Sequence, residues 1–272
     1  MPAARPGGGG RRREGAVYFF DDTFDGLLTA VFDAYARRSF PGTLLAEGAP
    51  GPLFADDMHH VVTDAAKAGR VWRALGRKLS AFAHRCVAQC WLADEEDTPM
   101  VLFRYICRVV DAPGRVETNF ADPAVLDFVR MWKRVDWERT RLMQFVRFQK
   151  AADGTYFAPV EPQKDALPLV VPHFRDRFAD QRWLLYDVGR QYGFCYDLRQ
   201  VHRVSFAEGV PAGLHGGRLD DSLLAEDELL FQRLWQTYFR AICIRERLNP
   251  RKHRQDMPVR YWKYLTEKQG PG

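Results

Sequence analysis

The spacing of apolar residues along the chain changes from helical to alternating and back again. VYFF (17–20) is a short apolar run that predicts a strand. Asp21, Asp22 and Thr23 offer helix caps, and Phe24, Leu27, Leu28, Val31, Phe32 and Tyr35 then recur at helical spacing. A helix with one buried face is expected there, ended by Phe40-Pro41-Gly42 and followed by a Gly- and Pro-rich loop to about Pro52. HHVVTD (59–64) predicts another short strand, with Thr63 or Asp64 as the next cap.

Ala65–Ala93 reads as one continuous helix about 40 Å long. Val71, Trp72, Leu75, Leu79, Phe82, Cys86 and Cys90 fall on one arc, and Lys67, Arg70, Arg73, Arg77, Lys78 and Arg85 on the other. No acid occurs in this segment, and Asp94–Asp97 follow directly. Pro99 opens a helix over about Met100–Val110, and Asp122-Pro123 opens one from Pro123 to about Arg139.

From about Leu142 the period shortens. QFVRFQ, the Asp153-Gly154 turn and TYFAPVE predict a β-hairpin. LPLVV (167–171) reads as a strand and HFRDRFAD as a short helix. WLLYDV, YGFCYD and VHRVSFA are further strands. Asp220-Asp221-Ser222 then caps a long helix, Leu224 to about Leu248, with Leu230, Leu234, Tyr238 and Ile242 on a shared face. Asn249-Pro250 stops it, and Met257-Pro258 begins a last short helix containing Tyr261 and Trp262; the rings of this region either pack as core, the favoured role for most, or join the basic surface.

The expected fold is a single α+β domain over residues 17–268, preceded by a flexible basic tail (1–16). Its parts are a helical N-terminal region (17–141), a central, mainly antiparallel sheet (142–207) and closing C-terminal helices (220–268). At 272 residues the chain has ample material for a core, and no apolar run approaches the roughly 20 residues that span a bilayer. The tail lacks the apolar stretch of a secretory signal, and five Cys without a framework suit a reducing cytoplasm.

Charge changes this picture. Net charge is only +5, but residues 240–263 carry eight Lys/Arg against Glu246 and Asp256. The tail adds +3, which leaves −4 on everything else. A mildly acidic body with a concentrated basic segment points to a polyanionic partner. Helix-end electrostatics accounts for Arg245 and Arg247, at about 0.3–1 kcal/mol each. Arg240, Arg251, Lys252, Arg254, Arg260 and Lys263 need another reason, and phosphate binding supplies one.

Three stretches carry a resemblance: YFFDDTFDGLLTAVFDAY (18–35), FVRFQ with HFRDRF (145–149, 173–178), and ICIRERLNPRKHRQDMPVRYWKYLTE (242–267). They resemble an uncharacterised bacterial family assigned to DNA metabolism or DNA repair. The resemblance spans nearly the whole chain after the tail. It implies a context of DNA repair or modification, a radical SAM partner similar to spore photoproduct lyase, and related domains fused to uracil-DNA-glycosylase-like domains. It carries over no catalytic residue.

Two further surfaces are candidates for DNA. The cations from Lys67 to Arg85 either meet DNA or pair internally, with Asp94–Asp97 or with Asp220 and Asp221. Trp137 falls among Arg130, Lys133, Arg134 and Arg141 if its helix stays regular, where a ring can stack on an unpaired base. If the helix ends near Asp136, Trp137 turns inward instead.

Chemistry is sparse. Cys86-x-x-x-Cys90 lacks the third Cys of a radical SAM cluster, since position 93 is Ala93, and both sulfurs sit on the apolar arc, so no metal and no cofactor is expected. His173 with Tyr186 and Asp187 are the weak candidates for acid–base groups, and a hydrogen-bonding role at a strand end competes with that reading. No Walker loop, dinucleotide fingerprint, nucleophile elbow or deaminase signature occurs. A non-catalytic DNA-binding accessory protein is the leading expectation, ahead of an enzyme on DNA and a protein–protein adaptor.

Overall fold

The computed structural model describes residues 13–52, 57–206, 213–215, 217–241 and 249–268. The chain divides into two compact units, one ending at Arg134 and the other beginning at Val135. Helices and strands mix throughout, as the α+β expectation requires.

In the first unit, β1 (Arg13–Phe20) is the middle strand of a parallel sheet, between β2 (Ser39–Ala46) and β3 (Met58–His60). The apolar pattern locates β1 and β3. It misses β2, because Pro41 and Gly42 read as breakers. Pro41 is tolerated because β2 is an edge strand and its register against β1 shifts on both sides of the Ala16–Pro41 pair. α1 (Phe24–Arg37) joins β1 to β2. Its N-cap Thr23 accepts from Gly26 N at 2.9 Å, and Leu27, Leu28 and Val31 are buried as the spacing predicts.

The long helix expected over Ala65–Ala93 is in fact two, α2 (Ala65–Lys78) and α3 (Ala81–Trp91). Leu79 is extended at the break, and the Ser80 hydroxyl accepts from Ala83 N, starting the new helix. Ser80 in turn gives its own hydroxyl to Glu117 Oε2 at 2.7 Å. Periodicity cannot register such a break, since Leu79 is buried either way and the stabilising carboxylate is 37 residues distant. Phe82, expected inside, is 56% exposed and meets the Trp132 ring edge-on. α4 (Thr98–Asp111) carries Pro99 in its first turn, as expected of a helix start, and Tyr105 stacks on Phe128 with centroids 3.8 Å apart.

α5 (Pro123–Phe145) leads from the first unit into the second. There the sheet order is β4 (Gln149–Lys150), β5 (Tyr156–Val160), β6 (Trp183–Asp187), β7 (Tyr192–Tyr196) and β8 (Val201–Val204). Every pair is antiparallel except β5–β6, so the mainly antiparallel sheet is present. The parallel pair needs a crossover, which α6 (Leu167–Arg177) provides. LPLVV, expected as a strand, is therefore the first half of a helix. A five-residue apolar run does not distinguish the two, and Pro168 in the first turn fits a helix start. Val170 and Phe174 pack with Trp183, Leu185 and Ala158 into a core.

β9 (Leu214–His215) and β10 (Arg218–Leu219) form a small hairpin, and a 3₁₀ turn occupies Asp221–Leu223. α7 (Glu228–Ala241) starts later than Leu224, and its expected extension to Leu248 lies outside the described residues. Its first turns bury polar residues and expose apolar ones. Glu228 and Gln232 are buried and hydrogen-bonded to each other, whereas Leu230 and Leu234 are more than half exposed. α8 (Pro250–Asp256) and a 3₁₀ helix, Val259–Tyr264, close the unit.

Candidate nucleic-acid interface

Asn249 and Pro250 do not merely stop a helix; they begin one. The Asn249 side chain accepts from Lys252 N at 3.0 Å and Pro250 takes the first turn, where its missing N–H costs nothing. Arg251, Lys252 and Arg254 therefore project from α8 and all three are exposed. Lys252 meets Asp256 at 3.0 Å, but both are more than 60% exposed, and such a pair contributes only about 0.3–0.5 kcal/mol. Arg251 and Arg254 have no ionic partner among the described residues. α8 is tied down through His253, whose ring lies 5.9 Å from that of Trp262, and through Trp262 Nε1, which donates to Met257 O. Burial and nearby Lys268 hold the His253 pKa below its ordinary value.

Arg260 and Lys263, expected on the same surface, have internal duties. Arg260 Nη2 donates to Glu138 Oε2 at 2.6 Å, and Tyr261 OH donates to Glu138 Oε1, also at 2.6 Å. Glu138 is 2% exposed and also accepts from Gln163 N. Lys263 forms an ion pair with Glu161, which also accepts from Tyr264 OH. The hydrogen bond from Lys263 is the main reason the Glu161 carboxyl sits low. Tyr261, Tyr264 and Leu265 are core, as the sequence suggests. Arg240 lies on α7, and Arg245 and Arg247 lie outside the described residues.

In the first unit the basic arc also divides into two kinds of residue. Lys67 donates to Asp33 Oδ1 at 2.8 Å, and His59 Nε2 is 2.9 Å from Asp33 Oδ2. Lys78 Nζ donates to Ala112 O at 2.8 Å, covering the carbonyl end of α4. Arg70, Arg73 and Arg77 are exposed along one strip of α2, and Arg85 is exposed on α3. None of the four has an ionic partner among the described residues. Three of the acids considered as partners are engaged elsewhere: Glu95 with Arg134, Asp220 with His215, and Asp221 with Arg218.

α5 continues to Phe145, so Trp137 does not turn inward and is 61% exposed. Lys133 and Arg141 are its neighbours four residues away on the same helix. Cys86 and Cys90 are buried, and burial holds the Cys90 thiol well above its ordinary value.

The weak catalytic candidates are placed as structural parts. Asp187 is fully buried at the end of β6. Its Oδ1 accepts from Gly189 N and Arg190 N, closing the turn to β7, and its Oδ2 pairs with Arg190 at 3.0 Å. Burial nevertheless pushes its carboxyl up. Tyr186 is buried in the sheet, paired with Gly193, and its ring approaches that of Phe206. His173 lies on α6 with its ring edge-on to Phe174, and no hydrogen bond joins it to Asp187. Glu138, the hub beneath Arg260 and Tyr261, is not legible in sequence, because its partners lie up to 123 residues away.

Among the described residues, no group of three or more His, Cys, Asp or Glu is arranged to hold a metal ion, and no helix is long and apolar enough to cross a membrane. No curated protein and no solved structure matches the chain significantly. A family model described as a domain of unknown function, DUF4130, matches residues 96–267, which include the helix that carries Arg251, Lys252 and Arg254, and the chain belongs to that family.

Proposed function

We propose that this protein is a DNA-binding accessory component of DNA repair or modification that presents DNA to a partner enzyme of the radical SAM class. The observation that carries the reading is α8, a short capped helix whose three cations face solvent with only one weak surface pair among them. Exposed cations fixed on a helix are suited to phosphates, because each contact releases condensed counterions. Arg70, Arg73 and Arg77 offer a second strip of the same kind. The radical SAM partner and a uracil-DNA-glycosylase-like partner rest on the resemblance of 18–35, 145–149, 173–178 and 242–267.

Binding to duplex and single-stranded DNA, measured across a salt series, tests the reading. A steep linear fall of log K with log salt supports it, and no binding at low salt overturns it. Turnover of a lesion-bearing oligonucleotide by this chain alone would replace it with the enzyme reading. A second reading, a protein–protein adaptor, draws on α7, where Leu230, Phe231 and Leu234 are each more than half exposed on one helix.

A further inference from the structure

A pocket of about 540 Å³ opens beside the 3₁₀ helix Val259–Tyr264 and is lined by Glu161, Pro162, Gln163, Val259, Arg260 and Lys263. Its size suits a small organic group. Its charges largely cancel. Lys263 is matched by Glu161 and Arg260 by buried Glu138, so the pocket lacks the excess positive charge that a polyphosphate needs. What remains is a mixture of edges and faces. Glu161 supplies acceptors, the Gln163 amide supplies both a donor and an acceptor, and Pro162 and Val259 supply apolar walls. Arg260 spends Nη2 on Glu138 and Tyr261, and its buried Nε has no acceptor among the described residues.

The walls are held in place. Gln163 N is fixed by Glu138, while Arg190 donates from Nη1 to Pro162 O at 2.9 Å and from Nη2 to Gln163 O at 3.2 Å. Asp187 holds Arg190 in turn, which gives this buried carboxylate a positioning role for the pocket wall. The basic helix is directly connected to the site: α8 packs on the 3₁₀ helix through His253 and Trp262. A flat ring with donors and acceptors on its edge, attached to a phosphate chain, matches this juxtaposition of a neutral pocket and an exposed cationic helix.

We propose that the pocket receives a single unstacked nucleobase from a DNA strand whose backbone lies on α8. The proposal rests on the DNA-binding reading above and adds the ligand of the pocket. Acceptors at Glu161 and the amide at Gln163 meet the base edge, and Val259 and Pro162 meet its faces.

The test uses the full chain and a single-stranded oligonucleotide containing one 2-aminopurine, with emission and affinity recorded across a salt series. Val259→Trp fills the pocket from an exposed position, and Gln163→Ala removes the amide without touching the backbone bond to Glu138. Each variant should raise Kd roughly 5- to 100-fold and abolish the emission change, while the salt slope stays as in the wild type, since that slope counts phosphates. If both variants bind and emit like the wild type, the pocket proposal is overturned and the α8 interface stands. If the wild type binds no DNA, the underlying reading fails and the pocket proposal fails with it.

Discussion

Arg260 donates to Glu138 at 2.6 Å across 122 residues of sequence, joining the C-terminal basic segment to the buried face of α5. This bond makes Arg260 part of the scaffold, unlike the arginines of α8. Arg260→Ala leaves a carboxylate that is 2% exposed without its charge partner. Removing one member of a buried pair costs about 3–5 kcal/mol, and the remaining bonds from Tyr261 and Gln163 place this case near 3. Urea unfolding should show that loss, with Arg260→Lys recovering only part of it because a point charge lacks the guanidinium fork.

Replacing Arg251, Lys252 and Arg254 together with Ala should do the reverse: little effect on stability and a large one on DNA. Ala is a good helix former and the one ion pair lost is a surface pair. The magnitude of the log K against log salt slope on duplex DNA should fall by about 0.9 for each phosphate contact removed. An unchanged slope with intact folding would rule out α8 as the interface.

Asp33 should make the first unit sensitive to acid. Burial works to raise its carboxyl, but the hydrogen bonds from Lys67 and His59 outweigh it and hold the pKa below the ordinary 3.8. A depressed carboxyl stabilises the fold fully above its unfolded value, and the contribution is lost as pH falls through the folded one. Wild type should therefore exceed Asp33→Asn in stability at pH 7, by about 2 kcal/mol for charged hydrogen bonds. The gap should close as pH drops below about 3.8. Chemical denaturation across a pH series from 7 downward follows the gap; a gap that does not shrink at all as the pH falls would show that ionisation is not its source.

Gly193→Ala should be among the most damaging small substitutions in the sheet. A methyl there would lie 2.4 Å from Leu185 O and 2.9 Å from Tyr186 Cα, both backbone atoms of the neighbouring strand. Overpacking against backbone that cannot move aside costs about 3 kcal/mol. Thermal unfolding of the variant gives the comparison, with Gly154→Ala as a contrasting case: its strain is local, at φ +82 with open space around it.

Local chemistry determined much of the architecture from sequence alone. Thr23 caps α1, Pro99 sits in the first turn of α4, the Asp153-Gly154 turn joins β4 to β5, and three strands form between Trp183 and Val204 as read. The basic segment and its aromatic core were legible for the same reason, because charge and ring content are properties of neighbouring residues. Tertiary structure decided what depended on distant partners. Glu117 supports the break at Ser80, and edge placement lets Pro41 sit in β2. The crossover between parallel strands makes LPLVV helical. Function divided along the same line. Composition marked eight cations between Arg240 and Lys263, but only the packed fold separated Arg251 and Arg254, which face water, from Arg260 and Lys263, which hold carboxylates. A charge reads identically in sequence whether it is solvated or paired, because its partner is brought to it by the whole chain.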